Sequence, residues 1–442
     1  MIRLGLPLIA GQVLLFGANV VDTLLAGHLG PRVLGAVAIG ASVWMMPLMA
    51  TQGLMFTVPA RVSECVGAGR RGAVGQVFRQ ALWLALGTGC LLLVAIRLLA
   101  GPVSGLLGVA PSLAADVAGF LRAVAWGAPP LGLFMACRGL SDGLSMTRPA
   151  MWFGLLGLLL LIPIGMLLMY GGFGLPGLGA RGSGLATACV IWLQAGSFLL
   201  YVSRAPGYRG IGWGEGRRGP DPRAIGRLLS LGLPMAASVL MEVSLFSFAA
   251  FAIARFGAAA VAAHQIALNV AGLSFMVPLG LSGAITVRVG MARGRGSMAG
   301  ARLAGTIGIG FSLVTQSVSC LVMALLPKTI AALYSPDPAV QAGTVSLLAL
   351  AALFQLSDGV QVAANGALRG LQDTRVPAAI TLFAYWGVGM PVGLGLAFWG
   401  GLAARGMWMG LVAGLSVAAL LLTWRFRRRT LAAVQRPARM RA

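Results

Sequence analysis

Residues 238–253 read SVLMEVSLFSFAAFAI, and Glu242 is the one carboxylate among apolar and small residues. What surrounds this helix decides what the charge is for. The 442-residue chain is 58% hydrophobic and only 10% charged, with a mean hydropathy of +0.89. Soluble domains carry about 25% charged residues. So few charges cannot clothe a surface in water, so the stretch belongs to a chain dissolved mostly in lipid. The apolar run from Leu4 starts almost at once, without a small-residue cleavage site, so no secretory signal is expected.

A spanning helix needs about 20 apolar residues. Outward from Glu242, such runs number twelve: 4–26, 34–60, 78–100, 115–138, 150–171, 183–203, 229–254, 260–287, 302–326, 341–366, 377–399 and 406–424. The longest polar connection contains RAPGYRGIGWGEGRRGPDPR (204–223), a Gly-, Pro- and Arg-rich hinge between two groups of six.

The halves repeat. LGLP at 4–7 returns at 231–234, an offset of 227 that also maps Gly30 to Gly257, Arg61 to Arg288, Gly139 to Gly366 and Thr147-Arg148 to Thr374-Arg375. Six spans bring each half into the bilayer the same way round, as in parallel-repeat transporters. The expected fold is an all-α integral membrane protein, twelve transmembrane helices in two pseudo-symmetric six-helix bundles around a central cleft. The bundles are residues 1–203 and 229–424, joined by a cytoplasmic linker, 204–228, and followed by a basic cytoplasmic tail, 425–442.

Arginines set the orientation. Arg61, Arg70, Arg71 and Arg79, the linker arginines, Arg288, Arg293, Arg295 and Arg302, and the tail all fall on one side. Both termini are therefore expected in the cytoplasm, with the chain in the inner (plasma) membrane. The net charge of +23 then reflects topology and anionic lipid. Nucleic-acid binding is not expected, because no soluble domain presents a basic patch. The five cysteines show no CxxC or metal spacing and read as small core residues.

Of ten acidic residues, Glu64, Asp142, Glu215, Asp221, Asp337 and Asp373 fall in loops or at span ends, and Asp116 starts span 4. Solvated or helix-end roles suffice for these. Asp22, Glu242 and Asp358 lie inside spans. A carboxylate at mid-membrane costs about 3 kcal/mol. Permanent ion pairs are a poor explanation, since the nearest cations, Arg122 and Arg138, sit near span ends and can snorkel. The alternative is a positive partner that comes and goes.

Polar neighbours at helical spacing support this. Asp358, Gln361 and Asn365 form a stripe with Gln355 one turn earlier; Gln265 and Asn269 lie four apart beside His264; Ser238 precedes Glu242 by four. In span 1, Gln12, Asn19 and Thr23 flank Asp22. At 1.5 Å per residue, Glu242 lies roughly 16 Å and Asp358 about 12 Å in from the same side, so the two can meet, whereas Asp22 belongs to the other half. A carboxyl away from water needs a proton or cation to neutralise it. A cation and a cargo competing for such groups are coupled, which is antiport. His264 reads as a packing residue rather than a relay.

VDTLLAGHLG (21–30), MEVSLF (241–246), AAHQIALN (262–269), RVG (288–290) and SDGVQVAANGALRGLQDTR (357–375) together resemble the multidrug and toxic compound extrusion family, NorM-like branch, over nearly the whole chain. The resemblance implies a cation-coupled (Na⁺ or H⁺) exporter of organic cations, drugs and dyes working by alternating access. By motif, Asp22 matches the family's span 1 acid, and Glu242 and Asp358 its span 7 and span 10 acids, implicated in Na⁺ or H⁺ binding. Span 5 has no acid where archaeal relatives carry one, and Phe354 stands where relatives offer a Tyr hydroxyl. No resident cofactor is expected, only the transient Na⁺ or H⁺, with Glu242 and Asp358 as ligands if the ion is Na⁺. The expected partners are the bilayer and small organic cations, and the expected state is a monomer.

Two rivals are weaker. A flippase for lipids or lipid-linked precursors, of related architecture, needs intramembrane cations for phosphate, where this chain has acids. An intramembrane enzyme needs a catalytic constellation such as HExxH, and none occurs.

Overall fold

The computed structural model describes residues 2–106, 110–172, 174, 176–213 and 219–439. Sixteen α-helices are described: α1 (Ile2–His28), α2 (Pro31–Met55), α3 (Thr57–Gly67), α4 (Ala73–Leu106), α5 (Pro111–Val124), α6 (Ala128–Gly143), α7 (Thr147–Tyr170), α8 (Gly179–Arg204), α9 (Pro222–Ala254), α10 (Ala258–Gly294), α11 (Met298–Leu325), α12 (Pro327–Tyr334), α13 (Pro338–Gly370), α14 (Arg375–Leu382), α15 (Met390–Leu394) and α16 (Ala403–Arg439). Among the described residues they supply twelve segments long and apolar enough to cross a membrane, as the sequence predicts. Helices α2 and α3 share one span, α5 and α6 another, and α14 and α15 a third. Helix α16 carries the last span on to Arg439, so the basic tail continues that helix at least that far.

Local chemistry sets several starts. Asp337 caps α13, its Oδ1 accepting from the Ala339 amide at 2.8 Å, with Pro338 in the first turn where its missing N–H costs nothing. Large side chains point outward along the spans: Leu98 is 71% exposed, Leu420 71% and Phe251 75%. An apolar exterior of this kind fits a lipid solvent.

The chain forms two compact units, one of Ala10–Val66 and Arg70–Ala236, the other of Met1–Ile9, Gly67–Gly69 and Ala237–Ala442. In the first, α8 packs on α5, α6 and α7, and α4 on α6. Its core gathers Phe78, Phe120, Phe134 and Phe198, with Phe153 stacked on Phe198 at 4.4 Å. In the second, α13 is central, packed on α10, α11 and α16, around Trp408, Tyr385, Phe426 and Leu348.

The repeat is written in the backbone as well as the sequence. Positive φ recurs at the same 227-residue offset: Gly30 (103°) and Gly257 (98°), Gly69 (73°) and Gly296 (74°), Gly174 (84°) and Gly401 (67°), and Ser145 (65°) and Gln372 (55°). Pro7 and Pro234, inside α1 and α9, keep the same offset. The last pair of positive-φ residues matters most, because neither member is a glycine. A left-handed conformation is strained for such residues, so its recurrence marks a shared fold of the two halves.

Candidate functional site

Helix α13 carries the central acid, and two glycines fix its height. A Cβ on Gly359 would lie 2.4 Å from Gln316 Cγ of α11, and one on Gly366 2.6 Å from the Ser282 carbonyl oxygen of α10. Side chains lock the register: the Ser312 hydroxyl donates to the Gly359 carbonyl at 2.9 Å, and the Thr286 hydroxyl to the Gly366 carbonyl at 2.8 Å. Asp358, next to Gly359, is thus held by close backbone packing on two sides.

Asp358 is 2% exposed and Gln361 1%. Asp358 Oδ2, Gln361 Oε1 and the Tyr385 hydroxyl are all buried without a hydrogen-bond partner. Glu242, half-buried on α9, feels Arg369, and its charge reaches Asp358. Tyr385 feels both carboxylates and lies beside Gln361. The structure therefore places Glu242, Asp358 and Gln361 around Tyr385. Buried polar atoms are nearly always paired, and leaving one unpaired costs about 1–3 kcal/mol. The two carboxylates, with the neutral oxygens of Gln361 and Tyr385, form an oxygen-rich set suited to a hard cation or a proton. Among the described residues no three His, Cys, Asp or Glu side chains cluster, so the set is two acids completed by neutral oxygens.

The tyrosine was not found from sequence. The hydroxyl sought one turn before Asp358, at Phe354, comes instead from the eleventh span. There Phe383–Gly389 run as π-helix between α14 and α15, a geometry often found at functional sites. Phe354 instead packs edge-on against Trp408 at 5.8 Å and Phe246 at 5.9 Å.

By sequence alone, Arg122 and Arg138 are the cations nearest the acids. The structure places Arg369, 8% exposed, within electrostatic reach of Glu242.

The other polar positions separate. Asn365 (7%) and Ser238 (5%) are buried, whereas Gln265 and Asn269 are exposed on α10. Gln355 is structural: its Oε1 accepts from Gln316 Nε2 at 2.8 Å, and its Nε2 donates to the Ala271 carbonyl at 3.2 Å. His264 is fully buried. The Trp408 indole donates to its Nδ1 at 3.1 Å, which puts the proton of a neutral ring on Nε2.

Asp22 lies in the other unit. It accepts from the Ser183 hydroxyl of α8 at 2.7 Å. Thr23 turns back to the Asn19 carbonyl at 2.8 Å, and Asn19 is exposed. Gln12, 5% exposed, accepts from Arg138 Nη1 at 3.5 Å, and Arg138 Nε stands 3.7 Å from Asp142. Asp142 and Asp373, for which solvated or helix-end roles are expected, are 7% and 8% exposed. Both are covered because arginines fold over them: Asp373 takes Arg425 at 2.9 Å and Arg429 at 3.0 Å. Glu215 lies outside the described residues.

Known proteins match this chain in sequence and in fold. The MatE family matches residues 7–167 and 234–394, two blocks at the same 227-residue offset. The probable multidrug resistance protein NorM of Xanthomonas axonopodis pv. citri is 44% identical over 424 residues, 96% of this chain and 92% of that protein. The multidrug resistance protein PmpM of Pseudomonas aeruginosa is 42% identical, over 97% and 91%. Among solved structures, an outward-facing multidrug resistance MATE family transporter of the MOP superfamily superimposes with a TM-score of 0.90 at 20% identity, covering 98% of this chain and 96% of its own. A MOP superfamily transporter from Pyrococcus furiosus gives 0.89 at 20%, over 98% and 95%. Family match, repeat and fold coincide over nearly the full length, and the chain belongs to the MatE family.

Proposed function

We propose that the protein is an antiporter that expels organic cations in exchange for Na⁺ or H⁺, with Glu242 and Asp358 holding the exchanged ion. The coarser part, a multi-pass membrane transporter of the multidrug efflux type, rests on relatives of that name at 42–44% identity. The finer part rests on one observation: Asp358 Oδ2, Gln361 Oε1 and the Tyr385 hydroxyl are buried and unpartnered where Glu242 and Asp358 feel each other.

A permanent occupant would have to be a protein cation. Arg369 reaches Glu242 electrostatically, but Asp358 Oδ2 stays without a partner. An entering Na⁺ takes Asp358, Glu242 and the neutral oxygens as ligands; an entering proton neutralises one carboxyl. Either lowers the local negative charge that a cationic cargo seeks. Binding shifts the transporter only by its differential affinity for the two states, so ion and cargo that favour opposite states exchange. Two acids against one buried arginine, Arg369, argue against an anionic lipid-precursor cargo. Asp22, with its own partner, is a secondary contributor in the other unit. The positive-inside pattern supports cytoplasmic termini.

The test is transport in liposomes with ethidium inside and an imposed Na⁺ or H⁺ gradient. One gradient should accelerate ethidium movement in wild type and fail to do so in Asp358→Asn. Equal rates with and without either gradient would remove the coupling claim.

A further inference from the structure

Within the unit that contains α3 and α4, a cavity of about 250 Å³ opens among the ends of three spans. Its walls include Arg61, Arg70 and Arg227, with Glu64, Gln76 and Gln80. Glu64 takes Arg61 at 3.1 Å, so three guanidiniums face one carboxylate and the lining carries a net charge of +2. Arg70 and Arg227 are exposed at the rim. Cys65, Val77 and Leu228 give it an apolar part.

The walls are built, not incidental. Gln80 pins the end of the linker against α4: its Nε2 donates to the Gly219 carbonyl at 3.1 Å, and its Oε1 accepts from the Asp221 amide at 2.8 Å. Asp221 in turn caps α9, accepting from the Arg223 amide at 3.0 Å. The first turns of α4, through Ala73 and Gln76, and of α9, through Ala224, line the cavity. Helix starts add positive potential to the arginines. The volume far exceeds the roughly 10–15 Å³ that one water needs. The cavity lies at the ends of apolar spans, the depth of lipid headgroups.

From this geometry we infer that the cavity formed by α3, α4 and the start of α9 is a binding site for a phosphate-bearing anion. Paired arginines match phosphate oxygens bidentately, and the apolar wall suits the adjoining glycerol or acyl carbons. Basic pockets between membrane helices hold anionic headgroups in this way. The net positive lining repels the cationic cargo proposed above, so the cavity is separate from that path. The phosphate has two possible sources, a lipid phosphodiester or free phosphate. Arg227 lies in the second turn of α9, the helix that passes from one unit to the other at Ala236–Ala237. A bound anion therefore ties the start of that helix to the α3–α4 turn.

Native mass spectrometry of the full chain tests this with phosphatidylglycerol, cardiolipin or phosphatidylcholine added, and separately with inorganic phosphate as competitor. Wild type should retain the anionic lipids over phosphatidylcholine. Arg70→Gln/Arg227→Gln should lower that affinity roughly thirtyfold, at about tenfold per 1.4 kcal/mol and about 1 kcal/mol per arginine. Both side chains are exposed, so melting curves of this variant should match wild type. Arg295→Gln/Arg302→Gln, exposed arginines of the other unit, should leave retention unchanged. Competition by phosphate identifies free phosphate as a ligand; retention that phosphate does not disturb identifies the lipid headgroup. Equal retention of all lipids without phosphate binding, or equal loss in both double variants, overturns the proposal.

Discussion

The Ser183 hydroxyl donates to Asp22 at 2.7 Å, giving the acid of α1 a partner within its own unit. Asp358 Oδ2 has none, although Asp358 is the more deeply buried of the two. One acid is satisfied by the protein, and the other keeps a buried oxygen without a protein partner. The two should respond differently to substitution.

Removing charge at the unsatisfied site should abolish function without harming the fold. Glu242→Gln and Asp358→Asn keep side-chain volume and remove the need for a cation. We expect dye efflux to fall to background in each, with the thermal midpoint unchanged or raised. Efflux assays beside melting curves check both halves of the statement. Wild-type pumping by both variants would dissociate the pair from coupling.

At the satisfied site the outcome is graded. Asp22→Asn can still accept from Ser183, so transport should weaken without vanishing. Ser183→Ala should act in the same direction and cost about 1 kcal/mol of stability, the net worth of a typical hydrogen bond. Dose–response curves for ethidium resistance rank the three proteins.

Tyr385→Phe deletes a buried hydroxyl that lies beside Gln361 without a well-formed hydrogen bond. Stability should change by less than about 1 kcal/mol. If the hydroxyl serves the ion, the cation concentration for half-maximal transport should rise about tenfold, equivalent to roughly 1.4 kcal/mol. A purely structural tyrosine would shift the melting curve and leave the cation dependence alone.

Trp408→Phe is the opposite case. It removes the donor to His264 Nδ1 and leaves that nitrogen unpaired in a fully buried ring. The expected loss is about 1–3 kcal/mol, seen in thermal unfolding, with the cation dependence of the residual transport unchanged.

How far the sequence reached follows from which physics is local. Spans are legible because lipid imposes length and apolarity residue by residue. The repeat is legible where identity persists, as at Gly30 and Gly257. It is hidden at Ser145 and Gln372, which share a left-handed backbone but no chemistry. Glu242 and Asp358 stand out because an acid in an apolar run is costly wherever it sits. Tyr385 does not, because a tyrosine in a span is unremarkable and its π-helical turn departs from the 3.6-residue spacing used to find faces. Gln355 shares the polar stripe of Asp358 yet is consumed by Gln316 and Ala271. Spacing along one helix cannot distinguish a ligand from a strut. Arg369 escapes notice for a related reason: position at a span end does not say whether a long side chain turns outward or in.

The most direct measurement is ion displacement by cargo on the purified protein, followed as proton release in weakly buffered medium and as loss of bound ²²Na⁺. The account predicts that ethidium displaces one of these ions from wild type, and that Asp358→Asn shows no displacement. Ethidium binding to wild type with neither ion released, or the same release from the variant, would contradict it.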